Sequence, residues 1–194
     1  MKSDWGDNLD VRYYVCKKLK QIKDKSILDI GCGQGYLASY IDESNDYLGI
    51  DTDWKDIQEA KESNPNKIFE CQEFRIDNKK KFDVVLAVNI IEVMNDRAQG
   101  LKDAILSTNT GGVIILTTPN GDNPYYKNKG KIKEEELKEW LKDYNYRIYY
   151  WNPLPIQIHH LCRYFPIKEF FIRLFEYLMR FRFNSVSFYI EIHV

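Results

Sequence analysis

Hydrophobic and polar positions along the chain follow two rhythms. Short apolar runs at 26–30, 46–50, 67–71, 82–88, 112–118 and 146–151, set between polar or glycine-bearing stretches, predict strands. A seventh, Ser185–His193, alternates, with Val186, Phe188, Ile190 and Ile192 on one face. Between the strands the spacing is helical. Leu9, Tyr13, Cys16, Leu19 and Ile22 predict a helix over 8–23, with lysines on its other side. The segment Tyr36–Ile41 begins a helix reaching about residue 42. Asp53 is a cap for a helix from Trp54 to Ser63, which Asn64-Pro65 ends. A further helix lies within 95–108, weakened by Gly100, and another spans 133–143. The charged stretch 77–81 reads as a solvated turn and 119–124 as a loop.

Strands that alternate with helices build a mostly parallel sheet covered on both faces. The expected fold is therefore a doubly wound α/β sheet of seven strands, one domain over 1–194, with a helical insertion at 152–184 between the last two strands. Ligands of such sheets sit beyond the carboxyl ends of the strands. Asp29, Asp51, Cys71, Asn89 and Pro119 all fall at or just past strand ends, on one rim. The insertion starts where strand six ends, so it emerges on that same rim as a candidate lid. Within it, Ile167, Phe170, Phe171, Leu174, Phe175, Leu178 and Phe181 form an apolar stripe in the basic stretch 166–183. Three uses fit such a stripe: a cap over the site, a homodimer face, or peripheral contact with a membrane surface.

Composition narrows the class. The 194 residues suit one domain, and 28 basic against 29 acidic residues leave a net charge of −1, so no global positive field draws nucleic acid to the chain. Cys16, Cys32, Cys71 and Cys162 are scattered without a C-x-x-C spacing, which argues against a disulfide framework and a zinc site. The polar start, Met1–Asp7, has no signal-peptide core, and no apolar run reaches the about 20 residues of a membrane span. The expected location is cytoplasmic.

The candidate chemistry lies after strand one. Ile27-Leu-Asp-Ile-Gly-Cys-Gly-Gln-Gly35 is an apolar strand that opens into three glycines and then a helical stretch. Such a turn brings bare backbone N–H groups against a ligand. A second apolar run, about twenty residues on, ends in Asp51, placing a carboxylate where ribose hydroxyls would lie. The spacing Asp29-x-Gly31-x-Gly33-x-Gly35 departs from the dinucleotide G-x-G-x-x-G, and no Gly-Lys-Ser/Thr follows to make a P-loop.

These residues resemble the first motif, (D/E)-x-G-x-G-x-G, of the class I S-adenosylmethionine-dependent methyltransferases. The resemblance covers about 25–151 and continues in the family's order through Asp51, the strand Phe82–Val88 with Asn89-Ile-Ile-Glu92, and Gly111–Asn120. It implies a Rossmann-like fold with an antiparallel seventh strand and S-adenosylmethionine as cofactor. The residues it puts on the cofactor are Asp29, Gly31, Cys32, Gly33, Asp51, Thr52, Cys71, Gln72 and Asn89. Asp29 would hold the loop or reach the cofactor's amino group, Asp51 would take both ribose hydroxyls, and Asn89 would approach the sulfonium. Where the family often carries an Asp for the adenine amine this chain has Cys71, followed by Gln72 and Glu73. The family's small-molecule branch often reads Leu-Glu-His after strand four. Ile91-Glu92-Val93 keeps the acid and loses the imidazole.

Methylation of a hydroxyl needs a base. The candidates are His159 and His160 in the insertion, with Glu92 as a third, more readily a positioning residue than a base. Tyr125, Tyr126 and Trp151 are candidate lining for the acceptor. The run Asn123-Pro-Tyr-Tyr126 looks like the signature of enzymes that methylate amino groups, but it follows strand five, not strand four. The expected reaction is methyl transfer to a small-molecule, sugar or glycolipid acceptor, on oxygen. Carbon or nitrogen methylation, and a non-catalytic cofactor-binding role motivated by Cys71 and Val93, are the alternatives.

Overall fold

The computed structural model describes residues 11–75, 80–122, 131–151 and 187–194. Seven strands form one sheet: β1 (Ser26–Ile30), β2 (Asp46–Asp51), β3 (Ile68–Cys71), β4 (Phe82–Val88), β5 (Thr108–Pro119), β6 (Asn145–Trp151) and β7 (Ser187–His193). Their order is β3-β2-β1-β4-β5-β7-β6. The first five run parallel, and β7 lies antiparallel between β5 and β6. Among the described residues the α-helices are α1 (Val11–Leu19), α2 (Trp54–Ser63), α3 (Arg97–Leu106) and α4 (Glu134–Leu141).

Both faces of the sheet are covered, as unbroken apolar strands require. One face carries Leu28, Ile30, Val85, Ala87 and Ile114 against Leu101 and Ile105 of α3 and Leu137 and Leu141 of α4. The other carries Ile27, Tyr47, Phe69, Leu86 and Ile115 against Val11, Val15 and Leu19 of α1 and Ile57 and Ala60 of α2. Successive residues of β1 thus feed opposite layers. This division fixes the site, because it decides which rim residues turn toward α3 and which toward α2.

Local chemistry sets several boundaries. The Asp53 carboxylate caps α2 by accepting from the Lys55 and Asp56 backbone N–H groups, and Asn64 closes the helix. Asp96 caps α3 through the Gln99 N–H. Three sequence expectations shift. After the glycine turn the chain makes only a 3-10 turn, Leu37–Tyr40, in place of a helix to residue 42. Asp42 accepts from the Ser44 N–H and Asn45 donates to the Ile22 carbonyl, so the chain is already turned back into β2 and a further helical turn has no room. Strand five starts at Thr108, ahead of Gly111-Gly112, with a register shift opposite Phe82 and Val84. On α1 the buried positions are Val11, Val15, Cys16 and Leu19, with Ile22 packed beside them, so the two valines were missed. Leu9 and the side chain of Tyr13 lie outside the described residues. So do the insertion 152–184, with the stripe 166–183, His159 and His160, and the start of the expected seventh strand. Among the described residues no helix is long and apolar enough to cross a membrane.

Candidate active site

The glycine turn is stitched to β2. The Gly31 and Cys32 N–H groups both donate to the Ile50 carbonyl, at 2.9 and 3.0 Å. The Gly33 N–H donates to Asp51 Oδ2 at 2.9 Å, and the Asp53 N–H to Asp51 Oδ1 at 3.0 Å. One carboxylate therefore holds the glycine turn and the start of α2 together. Gly31 has φ +70°, and a β-carbon there would lie 2.6 Å from the Ile90 side chain. Gly33 has φ +50°, but a β-carbon there meets nothing nearer than Asp56 Oδ2 at 3.9 Å. Both positions take the left-handed backbone that favours glycine, and Gly31 is crowded by Ile90 while Gly33 has room beside it.

Asp29 points the other way. It is 1% exposed, on the face covered by α1 and α2, and accepts a hydrogen bond from the Tyr47 hydroxyl at 2.8 Å. Burial pushes its carboxyl up to about 7, against the pull of the Tyr47 hydroxyl, and the nearby Asp51 charge adds to the rise. Its hydrogen bond ties β1 to β2 beneath the rim. Cys32 is buried in the same layer, its thiol 3.7 Å from the Gly33 carbonyl, and burial raises its pKa. Cys71 is exposed, with its thiol 3.5 Å from the Thr52 carbonyl. The Gln72 N–H donates to the Asp51 carbonyl at 2.9 Å, and the Gln72 side chain turns to Glu70.

Beyond β4, Asn89 adopts φ +55°, a left-handed conformation that Asn tolerates better than most residues. It is fixed to β5 twice: its N–H donates to the Thr117 carbonyl at 2.9 Å, and its Oδ1 accepts from the Thr117 hydroxyl at 3.0 Å. Glu92 follows in a short 3-10 turn, Ile91–Val93. It is buried, and neither its Oε2 nor the Thr118 hydroxyl has a hydrogen-bond partner. Burial raises the Glu92 pKa, offset in part by backbone hydrogen bonding and by the Lys131 and Arg97 charges. Val93, where the small-molecule branch often has histidine, is 65% exposed.

A cavity of about 500 Å³ opens on the α3 side of the rim. Of the expected cofactor residues it takes Gly31, Asp51, Thr52 and Gln72 into its wall. Asp29, Cys32, Gly33, Cys71, Asn89 and Glu92 are not part of its wall. Sequence reading missed the rest of the wall, including Phe74, Ile90, Met94, Gly100 and Asp103. Gly100 was the available signal, since glycine weakens a helix interior, and here the missing side chain makes room for Met94. Among the described residues no cluster of His, Cys, Asp or Glu has the arrangement of a metal site.

A parallel sheet with a glycine turn braced by an acid on the adjacent strand, beside a cavity at the strand ends, defines a nucleoside-binding doubly wound domain. The chain belongs to the methyltransferase domain family, whose model matches residues 8–170. It is similar to the ubiquinone biosynthesis O-methyltransferase of Pelagibacter ubique (strain HTCC1062), 32% identical over 59% of this chain and 50% of that protein. It is also similar to the enzyme of that name from Serratia proteamaculans (strain 568), 30% identical over 55% of this chain and 48% of that protein. The chain thus spans about half the length of these curated relatives. Among solved structures, the plantazolicin methyltransferase BpumL, crystallised with a monoazolic desmethylPZN analog and SAH, shares the fold. Its TM-score is 0.63 at 19% identity, over 92% of this chain and 79% of that one. The methyltransferase resemblance of the motifs thus holds at the level of family and fold.

Proposed function

We propose that this chain transfers a methyl group from S-adenosylmethionine to a hydroxyl of a small-molecule, sugar or glycolipid acceptor. The observation that carries the donor half is the Asp51 carboxylate at the cavity wall, with one backbone N–H on each oxygen. Each oxygen keeps acceptor capacity, enough for two vicinal ribose hydroxyls. The residues suit the donor in a second respect: the space a side chain on Gly33 would fill is open. When bound, S-adenosylmethionine supplies an activated methyl on a sulfonium for in-line displacement. The backbone at Gly31 and Gly33 admits the amino-acid part, and Asn89, locked to Thr117, presents a fixed polar edge beside it.

Similarity to O-methyltransferases of ubiquinone biosynthesis supports oxygen as the acceptor atom. In this reading His159 or His160 takes the hydroxyl proton, while Glu92, buried with spare acceptor capacity beside Thr118, orients the acceptor side.

Calorimetry with S-adenosylmethionine and S-adenosylhomocysteine, with NADH as control, tests the donor half. Binding of the first pair and none of NADH is the expected result, and absence of binding to the pair refutes the reading. Gly33→Val is expected to abolish that binding, because its side chain enters the space beside the turn and a β-branched residue strains the backbone at φ +50°; a thermal melt reads the second effect separately. For the acceptor half, radiolabelled methyl donor is offered to lipid and sugar extracts. Alanine at both His159 and His160 is expected to stop transfer to oxygen without changing S-adenosylhomocysteine affinity. Undiminished turnover would move the acceptor atom to carbon or nitrogen. Tight binding with no transfer to any pool would favour the non-catalytic role.

A further inference from the structure

We infer that the adenine of the cofactor is recognised from α3, with Asp103 accepting its amino group and Met94, seated on Gly100, forming one wall of its slot. The inference rests on the donor proposed above. If ribose binds at Asp51, the base enters the adjoining cavity, whose apolar walls are Ile30, Ile50, Phe74, Ile90 and Met94. An adenine needs such a slot and, at its edge, an acceptor for the exocyclic amine.

The residues after β3 are poorly placed for that edge. Cys71 is exposed and outside the wall. Gln72, Glu73 and Asp96 line the cavity and each keeps an acceptor oxygen beside its bond to Glu70, Arg75 or the Gln99 N–H, but all three are exposed, where water competes for the amine. Asp103 is the lining carboxylate, besides Asp51, that is half-buried. Gln99 Nε2 donates to its Oδ1 at 2.7 Å, which fixes the carboxylate and leaves Oδ2 for another donor. Gly100 and Asp103 lie three apart, on neighbouring turns of one helix face.

Gly100 explains how that face meets the cavity. A β-carbon there would lie 2.3 Å from the Met94 sulfur. The thioether thus occupies the place of a side chain on α3, and any larger residue displaces it. The slot beside it is the nearby open volume.

The test compares affinities for S-adenosylhomocysteine and S-inosylhomocysteine, in which a carbonyl replaces the adenine amine, by calorimetry. The wild-type chain is expected to prefer the adenosyl compound by at least about tenfold, as loss of a hydrogen bond to a charged acceptor implies. Asp103→Asn is expected to remove most of that preference, because its amide can donate to the carbonyl. Glu73→Gln is expected to leave it intact. A preference that survives Asp103→Asn, or one abolished by Glu73→Gln, overturns the assignment. Retained binding of the inosyl compound shows that Asp103→Asn is folded. Gly100→Leu supplies an independent reading: its side chain takes the place of the Met94 thioether and fills the slot, weakening both compounds with their ratio unchanged. Wild-type affinity in Gly100→Leu would overturn the Met94 wall. If the wild-type chain binds neither compound, the donor proposal itself fails.

Discussion

Asp51→Ala is expected to weaken S-adenosylhomocysteine binding at least tenfold, about 1.4 kcal/mol or more, the scale of a lost charge-assisted hydrogen bond. The same substitution should loosen the rim in the absence of ligand. The Gly33 and Asp53 N–H groups both lose their acceptor, and with it the link between the glycine turn and α2. Both groups can turn to water in part, so the stability loss should be modest, roughly 1 kcal/mol. Asp51→Asn separates the two effects. It keeps one acceptor oxygen, so it should preserve more of the melting temperature than of the affinity. Calorimetry beside thermal melts reads both, and near wild-type affinity in Asp51→Ala would place the ribose elsewhere.

Asp29→Asn is expected to flatten the dependence of stability on pH. The Asp29 carboxyl rises on folding from an ordinary 3.8 to about 7, chiefly because it is buried. The folded chain then holds a proton that the unfolded chain has released. Stability from this group is complete below about pH 4 and is lost as pH climbs through 7. At about 1.4 kcal/mol per pH unit, the loss over that window is on the order of 4 kcal/mol, and from pH 5.5 to 8 on the order of 2 kcal/mol. Asparagine keeps an oxygen for the Tyr47 hydroxyl and cannot ionise. Denaturant melts of the two proteins at pH 5.5 and 8 measure the difference. Glu92 is also raised and contributes a slope of the same sign to both, so only the part that disappears in the variant belongs to Asp29. An unchanged slope would show that Asp29 does not titrate in this window.

What could be read in the chain beforehand was whatever local chemistry decides. The bounds of α2 follow from Asp53 at one end and Asn64-Pro65 at the other, and both act within a few residues. The nearness of the glycine turn to Asp51 was legible from the glycine spacing and the acid at the end of the next strand, but the hydrogen bond from the Gly33 N–H to Asp51 was not. Asp29 illustrates the opposite case. Its place in the motif is plain, but its buried position beside the Tyr47 hydroxyl depends on pleat and packing that one strand does not reveal. The cavity wall from Met94 to Asp103 was hidden for the same reason. Helical spacing shows that α3 has an inner face, not that this face ends beside Asp51. The turn at Leu37–Tyr40 was misread because its sequence permits a helix and only the return at Asp42–Asn45 forbids one.

The place of β7 has a consequence for assembly. The last strand in chain order lies inside the sheet, with β5 on one side and β6 on the other. Until it arrives, β5 presents an open edge and β6 has no neighbour among the described strands. Every strand pair of the parallel half can form earlier, whereas closure of this end joins positions as distant as Val113 and His193. Contacts of such wide separation form slowly. Any form in which β7 is not yet seated leaves the β5 edge unsaturated and open to pairing with a second copy of the chain.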